Sequence, residues 1–271
     1  MKLPSLKVVL LTPLVLFGLF YAIGAVLLAQ RDQAIIELAE SPTVLLEVAI
    51  LGASGTAGDG ILEAALASPD INRIQVISRR LTPRIQAGVD SGKVELTLHN
   101  DYLNYSEVFD QLSNVDAVFW AIGISSVGVD EKTYGMIHVD FPMQFVKAWT
   151  QASNKQDISF QFISSSDISE NSSAMWVREK IRAEKSLFEF AQGTKLRVIA
   201  YRPDYIGPTK QQAHIGQDLL YWFFKPVGAA VRAAQIGQAM IDVTLRGANF
   251  ENGSKLSTNK IVRHSQAYQT R

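Results

Sequence analysis

Apolar and polar positions divide the chain into one long apolar block, followed by an alternation of short apolar runs and helical stretches. The block comes first. Val8 to Ala29 carries no charge, and its 22 residues exceed the roughly 20 that a helix needs to cross a bilayer. Pro13, Gly18 and Gly24 within it are tolerated in membrane helices. A cleavable leader is the alternative, but its apolar core runs to only about 7–15 residues, and no A-x-A site closes this one. An uncleaved anchor over residues 1–30 is therefore expected. Residues 31–43 are polar and charged and read as a tether, with Pro42 before the first strand.

From Val44 the pattern changes. Val44–Leu51 is an apolar run that ends in glycines, and Ile61, Leu62, Ala64, Ala65 and Leu66 then follow a helical period. Ile74, Val76 and Ile77 form a second short run, and Val94, Leu96 and Leu98 alternate as a third. Val115–Ile122 reads as a buried fourth strand and Met136–Ala152 as a helix with Phe141, Phe145 and Trp149 on one face. Ile158–Ile163, a long helix over Ala174–Phe190 and Leu196–Tyr201 complete the series. Such alternation predicts an α/β protein: a Rossmann-type, doubly wound parallel sheet over 44–271, behind an N-terminal transmembrane helix. Ligands of such sheets sit beyond the carboxyl ends of the strands.

The glycine turn supplies candidate chemistry. Gly52, Ser54, Gly55, Thr56, Ala57 and Gly58 lie between the first strand and its helix, where backbone N–H groups and the helix dipole receive a dinucleotide pyrophosphate. The spacing is G-x-x-G-x-x-G rather than G-x-G-x-x-G, and a tight turn without a ligand is the alternative. Past the second strand stand Arg79 and Arg80, where an NAD site would place an acidic residue. A guanidinium fork suits a 2′-phosphate, so NADP is the expected cofactor.

Composition narrows the rest. The chain has 271 residues with 26 basic and 26 acidic side chains, so no net field points to nucleic acid. It has no cysteine, which excludes disulfides and thiolate chemistry. His99, His138, His214 and His264 lack metal-ligand spacing. Three formal glycosylation sequons begin at Asn104, Asn171 and Asn252 and are expected to be chance matches. Leu219–Phe224 is a dense aromatic run, read as a lid over the cleft, with a surface dipping into the membrane as the alternative.

The order GASGTAG, SRR, Asp101-Tyr102, Ala121-Ile122-Gly123, Ser164–Ser166, Lys180 and Arg202–Pro208 resembles an atypical short-chain dehydrogenase/reductase. It is most similar to the small single-domain group of Tat-interacting oxidoreductases and NmrA-like proteins. The resemblance implies that Asp101, with Tyr102, lies near the adenine and that Ala121–Gly123 packs beside the adenosine. Tyr205–Gly207 would border the nicotinamide. It also implies a catalytic serine, tyrosine and lysine. Ser165, or a neighbour in Ser164–Ser166, and Lys180 match two of them, but Trp176 stands four residues before Lys180, where the tyrosine belongs. An indole N–H donates a hydrogen bond but is no acid near pH 7. Tyr205 is the first candidate substitute, with Tyr134 and Tyr201 behind it. Lys180 has a second role open to it, on the nicotinamide ribose, and the bland alternative is an exposed pair with Glu184.

The expected function is an NADPH-dependent oxidoreductase acting on a lipophilic small molecule. The rival is a non-catalytic NADP(H)-binding sensor or assembly partner. Sugar-nucleotide epimerisation is weaker, since it also needs the tyrosine. The expected partners are the dinucleotide and, through Val8–Ala29, a lipid bilayer. A single-pass topology is expected with the domain on the cytosolic side, where reduced nicotinamide is abundant, although the count of basic residues around the anchor leans the other way.

Overall fold

The computed structural model describes residues 6–30, 45–213 and 215–271. The expected tether and His214 lie outside the described residues. Helix α1 (Leu6–Gln30) precedes the domain. Its described side chains run from 11 to 26, and among the described residues no helix is long and apolar enough to cross a membrane.

The strands follow the apolar runs. β1 (Leu46–Leu51), α2 (Thr56–Ala67), β2 (Ile71–Ser78), α3 (Pro83–Asp90), β3 (Val94–Leu98) and β4 (Ala117–Trp120) build the first half. α4 (Glu131–Gly135), a π turn over Met136–Asp140 and α5 (Phe141–Ala152) run on as one helical stretch. β5 (Ile158–Ile163), α6 (Met175–Ala191) and β6 (Leu196–Arg202) complete the main alternation. After them come β7 (Tyr205–Gly207), α7 (Ile215–Phe224), β8 (Ala230–Arg232), α8 (Ala233–Arg246), β9 (Ser254–Ser257) and α9 (Thr258–Gln269).

Seven strands pair in the order β3-β2-β1-β4-β5-β6-β9, every pair parallel, and β7 and β8 make a small parallel pair of their own. Alternation within each strand separates two cores. Val48, Ile50, Phe119 and Tyr201 face α2 and α8 on one side; Ala49, Leu51, Trp120 and Phe160 face α5 and α6 on the other. Phe145 and Trp149 of α5 are fully buried in the second core, as their four-residue spacing predicts.

Differences from the sequence pattern have local causes. β4 stops at Trp120 because Ala121 turns away after one last bond, from its N–H to the Leu51 carbonyl at 2.8 Å. The helix expected from Met136 starts earlier, at Glu131, where the Asp130 carboxylate caps it by accepting from the Thr133 N–H at 2.9 Å. β7, β8 and β9 have three or four residues each, too few to show a period. The Asn252 side chain is engaged inward, accepting from Val198 N at 3.1 Å and donating to Phe188 O at 2.9 Å.

The strand order reverses between β1 and β4, and the crevice opens there. Gly52 occupies a left-handed conformation, φ +87°, and a Cβ on it would lie 2.5 Å from the Ala121 carbonyl carbon. Gly58 lets α2 return against the turn, since its Cβ would meet the Gly52 oxygen at 2.0 Å.

Candidate functional site

A cavity of about 480 Å³ lies at the carboxyl ends of β1, β4 and β5. Gly55, Thr56 and Ala57 line it from the α2 N-terminus, and Ala121, Ile122 and Gly123 from the end of β4. Ser164 and Ser165 come from the end of β5, Trp176 and Lys180 from α6, and Tyr134 and His138 from the helical stretch after β4. Residues far apart in sequence thus converge because each follows a parallel strand or faces its end.

The glycine turn has the shape a pyrophosphate needs. Gly52 and Gly58 are required by packing, but Gly55 is not. A Cβ on Gly55 would make only ordinary contact, 3.5 Å from the Gly52 oxygen. It caps α2 without a side-chain hydrogen bond. Among the described residues, the turn leaves room above Gly55 at a helix N-terminus, where a Cβ would meet only the Gly52 oxygen. These residues fit a dinucleotide.

Arg79 and Arg80 are exposed beyond β2, and the Arg80 guanidinium donates to the Ser54 carbonyl at 3.2 Å, which brings it to the rim of the turn. Asp101 is exposed past the end of β3, where its carboxylate accepts from Leu103 N at 3.0 Å. Tyr102 is buried instead, its ring 5.5 Å from that of Phe141, and it supports the rim from below. Gly52, Ser54, Gly58, Arg79, Arg80, Asp101 and Tyr102 do not line the cavity itself; Gly52 and Gly58 shape the turn beside it.

The serines divide the work. The Ser164 hydroxyl donates to Glu184 at 2.6 Å, and Glu184 also takes the Arg202 Nε at 2.9 Å. Ser164 is thus committed to structure, and half-buried Ser165 faces the cavity. Glu184 is occupied by these partners, so Lys180 is not the exposed half of a helix pair. It is buried and donates to the Ile163 carbonyl at 3.3 Å. Burial lowers its pKa to about 8, with Glu184 opposing the shift.

Of the three tyrosines, Tyr205 ranks first on sequence, but the structure does not bring it to the cavity. Its hydroxyl donates to the Gln217 carbonyl at 3.0 Å on α7. Tyr201 is fully buried and donates to Gln161 at 2.7 Å. Tyr134 does line the cavity, and its hydroxyl makes no hydrogen bond among the described residues. Burial, and then the charge of Glu179, raise its pKa to about 12.

His138 is the site residue that a search for metal spacing passes over. Its ring centre lies 4.1 Å from that of Tyr134, the planes tilted by 35°, and its Nε2 lies 3.3 Å from both the N and the O of Ile124. Burial, then the neighbouring Lys180 charge, lower its pKa to about 3, so the imidazole is neutral. The signal was present in the four-residue spacing of Tyr134 and His138, which places both on one helical face.

The fold defines the class: this is the fold of the short-chain dehydrogenase/reductases and related NAD-dependent epimerases. An oxidoreductase of the short-chain dehydrogenase/reductase family from Burkholderia thailandensis aligns with a TM-score of 0.64 at 16% identity, over 80% of this chain and 92% of that one. BdcA, solved with NADPH, aligns at 0.57 and 14%, over 79% and 93%. The UDP-glucuronic acid 4-epimerase of Bacillus cereus, solved with NAD, aligns at 0.60 and 14%, over 78% of each chain. Among curated proteins, the leucinostatins biosynthesis cluster protein T of Purpureocillium lilacinum is 28% identical over 141 residues, 52% of this chain and about half (51%) of that protein. The mitochondrial protein fmp52 of Emericella nidulans is 25% identical over 219 residues, 76% of this chain and 91% of that one. No family model matches the chain.

Proposed function

We propose that the protein is an NADP(H)-dependent oxidoreductase that reduces the carbonyl of a lipophilic small molecule. The observation that carries this reading is the single cavity lined by the open glycine cradle, Ser165 and Lys180. A bound reduced dinucleotide supplies the hydride equivalent. In this reading Gly55–Ala57 hold its pyrophosphate, Asp101 and Ala121–Gly123 border its adenosine half, and Arg79 and Arg80 bind a 2′-phosphate. The Lys180 ammonium donates to ribose hydroxyls. The Ser165 hydroxyl donates to the substrate carbonyl oxygen. Trp176 adds an N–H donor that is no acid near pH 7. The proton for the developing alkoxide comes from Tyr134, whose phenol stays protonated at neutral pH and is still a far stronger acid than an alcohol. The α1 side chains from 11 to 26 are uncharged, and their large apolar members are exposed, which supports association of this helix with a bilayer. The domain would then lie on the side that holds the reduced dinucleotide, the cytosol.

Trp176 in place of a tyrosine favours a second reading, a sensor that binds NADP(H) without turnover. NADPH titration followed by an NADPH-oxidation assay against long-chain aldehydes and ketones separates the two. The reductase reading expects turnover that falls by about a hundredfold in Tyr134→Phe, in the range of a lost general acid, while NADPH affinity and Tyr205→Phe turnover hold. Tight NADPH binding with no turnover, in native protein and Trp176→Tyr alike, supports the sensor. Failure to bind either dinucleotide refutes both.

A further inference from the structure

Helix α7 divides its side chains sharply between two faces. At 3.6 residues per turn, Leu219, Leu220, Trp222 and Phe223 fall within an arc of about 160°, and Gln217, Tyr221 and Phe224 fall on the opposite side. The inner side is fastened to the domain. Tyr221 is buried beneath the Arg232 guanidinium, 3.7 Å from its ring centre, and the Gln217 carbonyl accepts from the Tyr205 hydroxyl. Phe224 packs 6.0 Å from the Tyr205 ring. The outer side packs on little of the domain: Leu219 is 70% exposed and Trp222 59%. This outer face runs into α1. The Phe223 ring lies 6.3 Å from Phe17 and 5.5 Å from Tyr21, and the Tyr21 hydroxyl donates to the Phe223 carbonyl. At the end of α7 the Lys225 ammonium stands 4.9 Å over the Trp222 ring.

We infer that α7 is a second membrane-contacting element, lying in the interface of a lipid bilayer beside α1. An apolar helical face continuous with an exposed apolar helix, closed by a tryptophan and a lysine at one level, has the chemistry of the headgroup boundary. The same helix packs on β7, whose Ile206 lines the cavity. A substrate that enters past α7 is then a carbonyl compound partitioned in the bilayer. This last step rests on the proposed reductase reading; the contact of α7 with lipid does not.

The absence of cysteine makes single-site labelling possible in the full-length chain. Leu219→Cys, Phe20→Cys on α1 and Lys185→Cys on α6 are each labelled with an NBD fluorophore and reconstituted in phosphatidylcholine liposomes. Label at 219 is expected to be quenched by doxyl-labelled lipid and shielded from iodide about threefold or more relative to label at 185, as interfacial burial requires. Lipid quenching at 20 with free iodide access at 219 overturns the inference and leaves α1 in the membrane. No lipid quenching at either position overturns both. Shielding at 219 without lipid quenching, with energy transfer between labelled copies, assigns the face to a second copy of the chain instead. NADPH titration of the same samples reports separately on the cofactor site.

Discussion

At the scale of single residues, burial sets the chemistry of the site. His138 has a folded pKa of about 3 against an ordinary 6.5 because burial and the Lys180 charge oppose its protonation. As pH falls from 6.5 toward 3 the unfolded chain takes up this proton first, so stability present above 6.5 is lost across that window, by up to about 1.4 kcal/mol per pH unit. Lys180 acts in the alkaline range: it sits at about 8 folded against 10.5 unfolded, so stability rises as pH climbs between these values. Urea midpoints across pH check both. His138→Asn should flatten the acid limb and Lys180→Met the alkaline one; unchanged slopes would show that neither group titrates as described. The arginines make a different prediction. Replacing Arg79 and Arg80 by alanine removes charge-assisted contacts worth about 1.5–3 kcal/mol, so NADPH affinity should fall roughly ten- to a hundredfold with NADH little changed. Fluorescence titration with both dinucleotides decides it, and equal weakening of the two removes the 2′-phosphate assignment.

At the scale of elements, the βα turn separates two kinds of glycine that look alike in sequence. Gly58 is needed by the protein, because a Cβ there would sit 2.0 Å from the Gly52 oxygen, whereas a Cβ on Gly55 would make only ordinary contact with that oxygen, at 3.5 Å. Gly58→Ala should cost on the order of 3 kcal/mol of stability through overpacking, read by denaturant melts. Gly55→Ala should leave the fold within about 1 kcal/mol, the cost of a poorer N-cap, yet weaken dinucleotide binding at least tenfold. If both variants behave alike in the melts, the distinction fails. The helical stretch after β4 shows the same division. Its α4 end is held to α6 by the Glu131–Arg178 ion pair at 2.8 Å, and its π turn carries His138 toward Gly123. A Cβ on Gly123 would meet the His138 ring at 2.9 Å, so the loop after β4 and this turn close on each other.

At the scale of the whole molecule, the domain is a parallel sheet with a cleft at its reversal point and an apolar surface made by α1 and α7. If that surface meets lipid, full-length protein remains in the pellet after alkaline carbonate extraction of membranes. Recovery in the supernatant would show that α1 does not hold the protein there.

The apolar runs and the glycine spacing determined six strands of the parallel sheet, their alternation with helices and the glycine turn, because each depends on a local period of two or 3.6 residues and on neighbours in sequence; β9, the seventh strand, was too short to show one. Ser165 and Lys180, expected from motif order by family resemblance, both line the cavity. Other assignments required tertiary structure. Tyr205 and Tyr134 are both tyrosines on the cleft side of the chain in sequence terms, and only the packing of α7 onto β7 turns Tyr205 away, while α4 and the π turn after it bring Tyr134 and His138 inward. Ser164 and Ser165 are adjacent, and only the position of Glu184, 20 residues away, commits the first and leaves the second to the cavity. The aromatic run at Leu219–Phe224, expected as a lid over the cleft with a membrane surface as the alternative, could not be given its faces from sequence for the same reason. A ten-residue helix has two faces, and which of them meets the domain is decided by partners distant in sequence.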